Sequence, residues 1–267
     1  MGELAPTAPK LRCPRLARSG EKYLSVGIGT ENGGMTSIPP VPDALVPLLT
    51  SSLSQQRAFA FSRPSWSRWF ARMPGVLDAM DALPDRVDRA HVATTVDGLI
   101  DSDVAAAFVV AMIWGHGKSG YGPFRTARIL TGGRRRPLEH ELSTDVVDKL
   151  RASVDHVRGD GPVEGYRYMA NEGALWGLGP AFFTKWLCFA SARGDHESDT
   201  AAPILDAIVI RWLHRNSDVR LRTGRTVDYE WYVDTLRAWG SAAGLSAVQV
   251  EERIFRLNRA DGAVAVN

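Results

Sequence analysis

One apolar run, Val104–Trp114, constrains the fold more than any other segment, because it is apolar on nearly every side. A surface helix keeps one polar face, so a helix that is apolar all round belongs in the middle of a core. Ser102 and Asp103 stand directly before the run, and both residue types cap helix N-termini. The run is about half as long as the roughly 20 residues that span a bilayer. The sequence therefore predicts a central buried helix and no membrane span.

Apolar residues recur at helical spacing through most of the chain after Pro42, and few stretches alternate as strands would. The predicted helices cover about Asp43–Ser54, Trp66–Arg72, Gly75–Leu83, Val104–Trp114, Phe124–Leu130, Ser143–Arg158, Val163–Glu172, Pro180–Ala192, Asp206–Leu213, Val227–Gly240 and Ser246–Leu257. With 267 residues, of which 45% are hydrophobic, the chain is long and apolar enough for a sizeable core. These observations predict an all-α fold.

Residues 1–38 differ from the rest, because they are rich in Pro, Gly, Ser and Thr and lack helical periodicity. Such a composition buries too little apolar surface to offset chain entropy, so we predict a disordered tail before a helical domain over residues 39–267. Met35 is a second candidate start of translation. A chain that begins at Met35 is expected to melt at the same temperature as the full chain. A clear drop in the thermal melt of the shorter chain would show that the tail packs on the domain.

The charge and the cysteine count exclude several classes of protein. The net charge is only +2, so the chain as a whole is not an electrostatic nucleic-acid binder. Cys13 and Cys188 are too few for a disulfide scaffold or for a four-cysteine zinc or iron–sulfur site. The N-terminus has no apolar signal core. We therefore expect a soluble, cytoplasmic monomer without metal, cofactor or membrane partner.

The segment Leu175-Trp176-Gly177-Leu178-Gly179-Pro180 carries the most functional information. Gly177 and Gly179 allow a sharp turn between two helices, and Pro180 suits the first turn of the second helix. The unpaired amides of such a hairpin, together with the positive end of the helix dipole, form an anion site. An ordinary turn between packed helices has the same pattern. Trp176, beside the hairpin, is a candidate contact for a ligand or a helix-packing residue.

Lys185 and Asp206 follow the hairpin and, together with it, indicate a functional site. Lys185 comes six residues after Gly179, and Asp206 comes 21 residues after Lys185. Lys185 lies in an otherwise apolar stretch, where a cation must snorkel, pair with an acid or serve a function. Burial lowers the pKa of a lysine and can make it a nucleophile at neutral pH. Asp206, near a helix start, is by itself an ordinary dipole complement. Trp186, beside Lys185, is either a core residue or the wall of a pocket.

A loop with four glycines, Gly115–Gly122, follows the central helix. It is either a tight connection between helices or a loop that contacts a ligand. It is not the phosphate loop of nucleotide hydrolases, because the glycine required five residues before Gly117 is Met112. The side chains of the loop that could contact a ligand are His116, Lys118 and Tyr121.

The hairpin, the lysine and the aspartate together resemble the helix–hairpin–helix DNA glycosylase superfamily, in particular its bacterial 8-oxoguanine DNA glycosylase-like branch. The resemblance is clearest over Val163–Leu213 and extends more weakly over Val104–Leu130. It implies a helix–hairpin–helix glycosylase fold, with the hairpin motif at about residues 163–192. It also implies that the partner of the chain is double-stranded DNA.

The resemblance implies a role for each of the matching residues. Gly177 and Gly179 would present amides to a DNA phosphate. Lys185 would attack the sugar C1′ of an everted nucleotide, and Asp206 would assist the chemistry. In the familiar members the lysine falls two residues after the second glycine, and Pro and Asp are separated by one residue rather than two. Because residues i and i+4 share a helix face, Lys185 can still reach the same pocket from one turn further along.

The function implied by the resemblance is that of a DNA glycosylase that excises a modified base. The base would be 8-oxoguanine or a modified cytosine of the phage type, and the setting would be base excision repair or anti-phage defence. A Schiff base with lysine would permit cleavage of the strand at the abasic site as well. A catalytically inactive DNA-binding protein of the same fold is the alternative, and a helical interaction protein that binds no DNA is a third. Contacts to DNA or to the everted base are expected from Trp176, Trp186, His116, Lys118 and Tyr121.

Overall fold

The chain is represented by a computed structural model that describes residues 37–53, 56–217 and 220–264, with side chains up to residue 257. The predicted tail, residues 1–38, therefore lies outside the described residues except for its last two. The helices are α1 Val46–Leu49, α2 Arg63–Ser67, α3 Pro74–Ala82, α4 Arg89–Leu99, α5 Val104–His116, α6 Gly122–Leu130, α7 Thr144–Gly159, α8 Pro162–Ala170, α9 Pro180–Ser191, α10 Ala207–Asn216, α11 Thr226–Ser241 and α12 Ala247–Val264.

Helix α5 is the central buried helix that the sequence predicts. Its first ten residues are all buried, and it packs against α3, α4, α6, α7 and α9. The Asp103 carboxylate caps it by accepting a hydrogen bond of 2.9 Å from the Ala106 amide. Gly117 ends it with φ of +56°, a conformation that favours glycine. The last turn of α5 therefore has a fixed position beside α9.

The strands in the described part of the chain form one short antiparallel ribbon, β1 Phe59–Ala60 with β2 Arg86–Val87. Phe59 pairs with Val87 in this ribbon. None of the described helices combines the length and the apolar character needed to cross a lipid bilayer. The prediction of an all-α fold is confirmed.

In the N-terminal third, two predicted helices have wrong boundaries and one helix was not predicted. The helix predicted over Trp66–Arg72 is α2, which covers Arg63–Ser67 and has a proline in its first turn. The predicted helix over Asp43–Ser54 is reduced to the single turn of α1, where the Thr50 and Ser51 hydroxyls donate to the carbonyls of Pro47 and Leu48. Such local bonds compete with helix extension. Helix α4 was not predicted from the sequence, because its two threonines and its glycine lower helix propensity. The Asp88 carboxylate nevertheless caps α4 by accepting from the His91 amide.

The hairpin motif joins α8 and α9, as the sequence predicts, and α9 is buried along most of its length. Helix α9 packs against α4, α5, α7 and α8, whereas α12 packs against α10 and α11. Trp239 of α11 donates a hydrogen bond of 2.9 Å to the Pro39 carbonyl, which fixes the start of the described chain on the helical body. These contacts bring the last turn of α5, the middle of α9 and the start of α10 to one cleft.

Candidate active site

A cleft of about 770 Å³ lies where the ends of these helices meet, and we call it the central cleft. This volume is within the range of roughly 300–1,000 Å³ that is typical of small-molecule sites. The side chains that matter for its chemistry are Arg89, Trp114, His116, Lys185, Asp206 and Glu251. Five cationic side chains line the cleft against two carboxylates, so it attracts an anionic ligand.

Lys185 and Asp206, which are 21 residues apart in the sequence, meet in the central cleft. The Lys185 Nζ lies 3.6 Å from Asp206 Oδ2, and the two side chains are only 14% and 10% exposed. Lys185 Nζ also donates to the Gly115 carbonyl at 3.3 Å and lies 5.1 Å from the centre of the Phe182 ring. The ammonium is therefore held among a carboxylate, a carbonyl and an aromatic face.

Burial governs the protonation of Lys185. Desolvation lowers the pKa of the Lys185 amine below its ordinary value, while the nearby carboxylate of Asp206 opposes the shift. A lower pKa increases the fraction of neutral amine at physiological pH. The neutral amine is the nucleophilic form, so the surroundings of Lys185 favour reaction with an electrophile.

Asp206 is positioned by the extended segment that precedes it. The Tyr229 and Tyr232 hydroxyls each donate a hydrogen bond of 2.8 Å to this segment, to the carbonyls of Pro203 and Ile204 respectively. The Thr184 hydroxyl, one residue before Lys185, accepts from the Leu205 amide at 3.2 Å. Helix α9 and the segment before Asp206 are thus tied together, and this fixes the distance between the lysine and the aspartate.

The two oxygens of the Asp206 carboxylate have different contacts: one binds backbone amides and the other faces Lys185. Oδ1 accepts from the amides of Ile208 and Val209, which makes Asp206 the N-cap of α10. The sequence placed Asp206 in the first helical turn, whereas it stands just before that turn. Because Oδ1 satisfies the helix amides, Oδ2 is free to face Lys185.

The two glycines of the hairpin before α9 differ in backbone conformation. Gly177 adopts φ of +75°, while Gly179 is extended and is the N-cap of α9. The Arg125 guanidinium donates twice to the Gly177 carbonyl, at 2.8 and 3.2 Å, and so holds the hairpin in place. A Cβ added at Gly179 would meet no atom within 4 Å. The N-terminus of α9 is therefore open to an approaching anion.

Replacing Gly179 by valine is expected to weaken binding to all DNA duplexes by roughly ten- to hundredfold, the effect of losing one hydrogen bond to a charged group. The new side chain enters open space, so the fold should remain. An equilibrium titration against duplexes of several sequences measures the loss, which should be uniform because phosphate contacts carry no base information. Gly159→Ala, at another open position, is the control. A loss confined to one modified base would contradict the phosphate role.

The aromatic residues predicted beside the hairpin and the lysine lie in different surroundings. Trp176 is 52% exposed, and the Arg128 guanidinium stacks on it with 3.9 Å between the Cζ atom and the ring centre. Trp186 is fully buried, and its indole donates to Ser153 at 2.8 Å. The expectation that Trp186 contacts a base is therefore corrected: its side chain fills the core, because it projects from the face of α9 that packs on α7. Trp176 lies on the surface beside the hairpin.

The three candidate residues of the glycine loop lie in different surroundings. His116 and Lys118 line the central cleft, whereas Tyr121 is 58% exposed and packs against Phe124. The His116 ring packs at a tilt against Phe182, with 4.4 Å between ring centres, and burial lowers the pKa of His116 to about 4. The imidazole is therefore neutral at pH 7. Its buried Nε2 has no hydrogen-bond partner among the described residues.

Among the charged residues of the central cleft that were not predicted from the sequence, Arg89 and Glu251 form a buried pair. Arg89 Nη2 donates to Glu251 Oε2 at 2.9 Å, and both side chains are at least 95% buried. Burial raises the pKa of the Glu251 carboxyl to about 7, although Arg89 opposes the shift. A sequence signal existed, because Glu251 lies three residues before buried Ile254 and four after buried Ala247. An acid on the apolar face of a helix marks a buried charge.

Within the described part of the chain, one cluster of side chains has the spacing of metal ligands, formed by His196, Glu197 and Glu252. Their ligand atoms lie within 4.8 Å of one another. The Glu252 carboxylate already contacts Arg89 and Arg256, which compete with a cation for its oxygens. We therefore assign no metal to this cluster.

Comparison with known proteins places the chain in a family. Residues 53–255, which include the hairpin, Lys185 and Asp206, match the family model described as "Putative 8-oxoguanine DNA glycosylase OGG-like protein". No curated protein matches the chain significantly. No solved structure does so either. The match spans more than half of the chain and agrees with the helical architecture, and the chain therefore belongs to this 8-oxoguanine DNA glycosylase-like family.

Proposed function

We propose that the chain is a DNA glycosylase that everts a modified nucleotide into the central cleft and releases its base. The observation that carries the proposal is the meeting of Lys185 and Asp206, 3.6 Å apart, in a cleft beside an open hairpin. Duplex DNA hides the glycosidic bond, so the nucleotide must leave the stack before the chemistry begins. A cleft of about 770 Å³ is large enough to receive it.

In the proposed reaction, the neutral amine of Lys185 attacks C1′ of the sugar. A bond forms between Nζ and C1′ while the bond between C1′ and the base breaks, and the base leaves with the bonding electrons and takes up a proton. Opening of the sugar ring then converts the adduct to a Schiff base, with the proton from nitrogen transferred to the ring oxygen. The burial that lowers the pKa of Lys185 supports this role.

Asp206 would stabilise the positive charge that develops on the sugar as the base departs. Its Oδ2 faces the cleft, while Oδ1 remains bound to the amides of α10. A carboxylate held in this way needs little reorganisation during the reaction, and preorganised charge of this kind is an efficient source of catalysis. The carboxylate can also pass a proton between Lys185 and the leaving groups.

The surface around the hairpin would hold the DNA backbone. The amides before α9 would bind one phosphate, and the Arg128 guanidinium, stacked on Trp176, supplies a cation close to the hairpin. Arg125 is occupied with the Gly177 carbonyl and therefore positions the hairpin rather than contacting DNA. Contacts of this kind fix the register of the duplex while the base enters the cleft.

The description of the family favours 8-oxoguanine as the base, and a modified cytosine of the phage type is the other candidate. Strand cleavage would follow if the Schiff base forms, since the imine makes the sugar prone to elimination. Repair of oxidised DNA and defence against phage are the settings that correspond to these two substrates.

Mass spectrometry of bases released from a panel of damaged and phage-type duplexes tests the proposal. The protein is expected to release one modified base and to leave unmodified DNA intact. Lys149→Ala, which removes a lysine that pairs with Asp145 on α7, is the matched control for variants of Lys185 and should release the base as the wild-type protein does. If DNA binds but no base is released from any duplex, the chain is a catalytically inactive DNA-binding protein and the proposal fails.

A further inference from the structure

The Arg89–Glu251 pair is a costly arrangement that the proposed reaction does not use. Both charges are buried, and a buried ion pair seldom adds stability compared with apolar residues of the same size. Arg89 is also the first residue of α4, where the helix dipole disfavours a cation. The pair therefore requires a reason other than stability.

The Nη1 group of Arg89 makes no hydrogen bond within the described part of the chain. Nη2 binds Glu251, but Nη1 is buried without a hydrogen-bond partner among the described residues and only forms a long ion pair of 3.8 Å with Glu252 Oε2. A buried donor that lacks a partner is unfavourable, and such groups are rare in folded proteins. A ligand that brings an acceptor to Nη1 would remove this cost.

The guanidinium is held in a fixed plane at the side of the cleft. Its Cζ lies 5.1 Å from the centre of the Trp114 ring, and the Trp114 indole donates to Gln56 at 3.1 Å. Arg89, Trp114 and Glu251 all line the central cleft. Lys185 lines the same cleft. A base whose sugar lies at Lys185 would therefore be within reach of this pair.

We propose that Arg89 and Glu251 read the hydrogen-bonding edge of the everted base and select an edge of the guanine type; this inference rests on the proposed function. Arg89 Nη1 donates to a carbonyl oxygen, and the Glu251 carboxylate accepts from two adjacent N–H groups. A carboxylate has about four lone-pair positions, so Oε2 can accept from the base as well as from Arg89. The pair thus offers one donor beside two acceptor positions. The matching edge of a base has one carbonyl oxygen beside two N–H donors, and guanine has this edge in O6, N1 and N2.

Binding measured without chemistry tests this assignment. Two duplexes carry 2′-fluorinated nucleotides that resist cleavage, one with 8-oxoguanine and one with 8-oxohypoxanthine, which lacks only the 2-amino group. The wild-type protein is expected to bind the first more tightly, by roughly 5- to 150-fold, the range typical of one bidentate base contact. In Glu251→Gln this ratio should fall towards one, because an amide offers a single acceptor oxygen and places donors against the donors of the base.

Two further variants separate base reading from a structural role. Asp97→Asn breaks another arginine–carboxylate pair on α4, in which Arg158 Nη2 lies 2.6 Å from Asp97, and should lower the melting temperature without changing the binding ratio. Arg89→Lys keeps the cation but loses the forked donors, so it should weaken the binding of both duplexes alike, because both bases carry the carbonyl oxygen that Arg89 contacts. It also serves if Glu251→Gln does not fold.

The outcomes distinguish this inference from the proposed function. Retained discrimination in Glu251→Gln, or unchanged binding of both duplexes in Arg89→Lys, with only a lower melting temperature, would overturn base reading and leave the glycosylase proposal standing. Equal binding of the two duplexes by the wild-type protein, or release of cytosine derivatives alone, would overturn it too. If the ratio depends on Glu251 while no base is ever released, base reading is upheld and the glycosylase proposal fails.

Discussion

Replacing Lys185 by alanine is expected to abolish covalent trapping of the protein on DNA by borohydride. Trapping requires an imine, and an imine requires the primary amine of the lysine. The remaining Asp206 keeps both of its bonds to the α10 amides, so the fold should persist. Gel analysis of borohydride-treated complexes measures the covalent product, and a thermal melt of the same variant verifies that it is folded.

Two further variants make this test sharper. Lys185→Met retains the apolar stem that packs near Phe182, so any loss of trapping reflects the amine rather than the packing. Lys149→Ala removes a lysine from α7 and should trap as well as the wild-type protein. Undiminished trapping in Lys185→Ala would assign the imine to another amine. Base release without trapping in the wild-type protein would indicate a monofunctional glycosylase in which Lys185 acts only as a charge.

The second large effect is expected for Asp206→Asn, which should slow base release by roughly a hundredfold to ten-thousandfold, a loss of a few kcal/mol of transition-state stabilisation. Asparagine is as good an N-cap as aspartate, so the bonds to Ile208 and Val209 and the start of α10 should be preserved. DNA binding should change little, because the lost charge matters most in the transition state. Single-turnover base release and an equilibrium binding titration, run on the same variant, separate the two effects.

Asp103→Asn is the matched control for this experiment, because Asp103 is likewise an N-cap aspartate, on α5. It should leave both base release and binding unchanged. If base release and binding fall together in Asp206→Asn, the aspartate is a structural cap. If neither falls, the likeness to glycosylases is one of fold alone.

Much of the fold could be predicted from periodicity, because the strongest signals lie where burial is complete. The run that forms α5 is apolar on every face, and no solvent-exposed helix has that composition. Helix α4 escaped prediction because its sequence is poor in strong helix formers, and tertiary packing on α5 and α9 overrides that weakness. The short ribbon of β1 and β2 has too few residues to show an alternating pattern.

Some residues of the candidate site could likewise be proposed from the sequence, and others could not. Lys185 and Asp206 could be proposed from the sequence because each interrupts or opens an apolar segment after a recognisable hairpin. Arg89 could not be placed, since its partner Glu251 is 162 residues away and only the packing of the whole domain brings them together. Trp186 was assigned to the pocket because it neighbours Lys185 in the sequence. Adjacent residues on a helix point about 100° apart, and Trp186 points into the core.

The close approach of α5 to α9 has a consequence for how relatives of this chain should be compared. A methyl group at Gly115 would lie 3.3 Å from the Lys185 Cδ, so a larger residue there would push the lysine stem aside at little cost to the backbone. If Lys185 is the nucleophile, as proposed, activity would then be lost in the course of evolution while the lysine, the aspartate and the hairpin all persist in the sequence. The presence of the proposed catalytic residues would thus be an incomplete marker of activity, and the residue at the position of Gly115 should be examined with them.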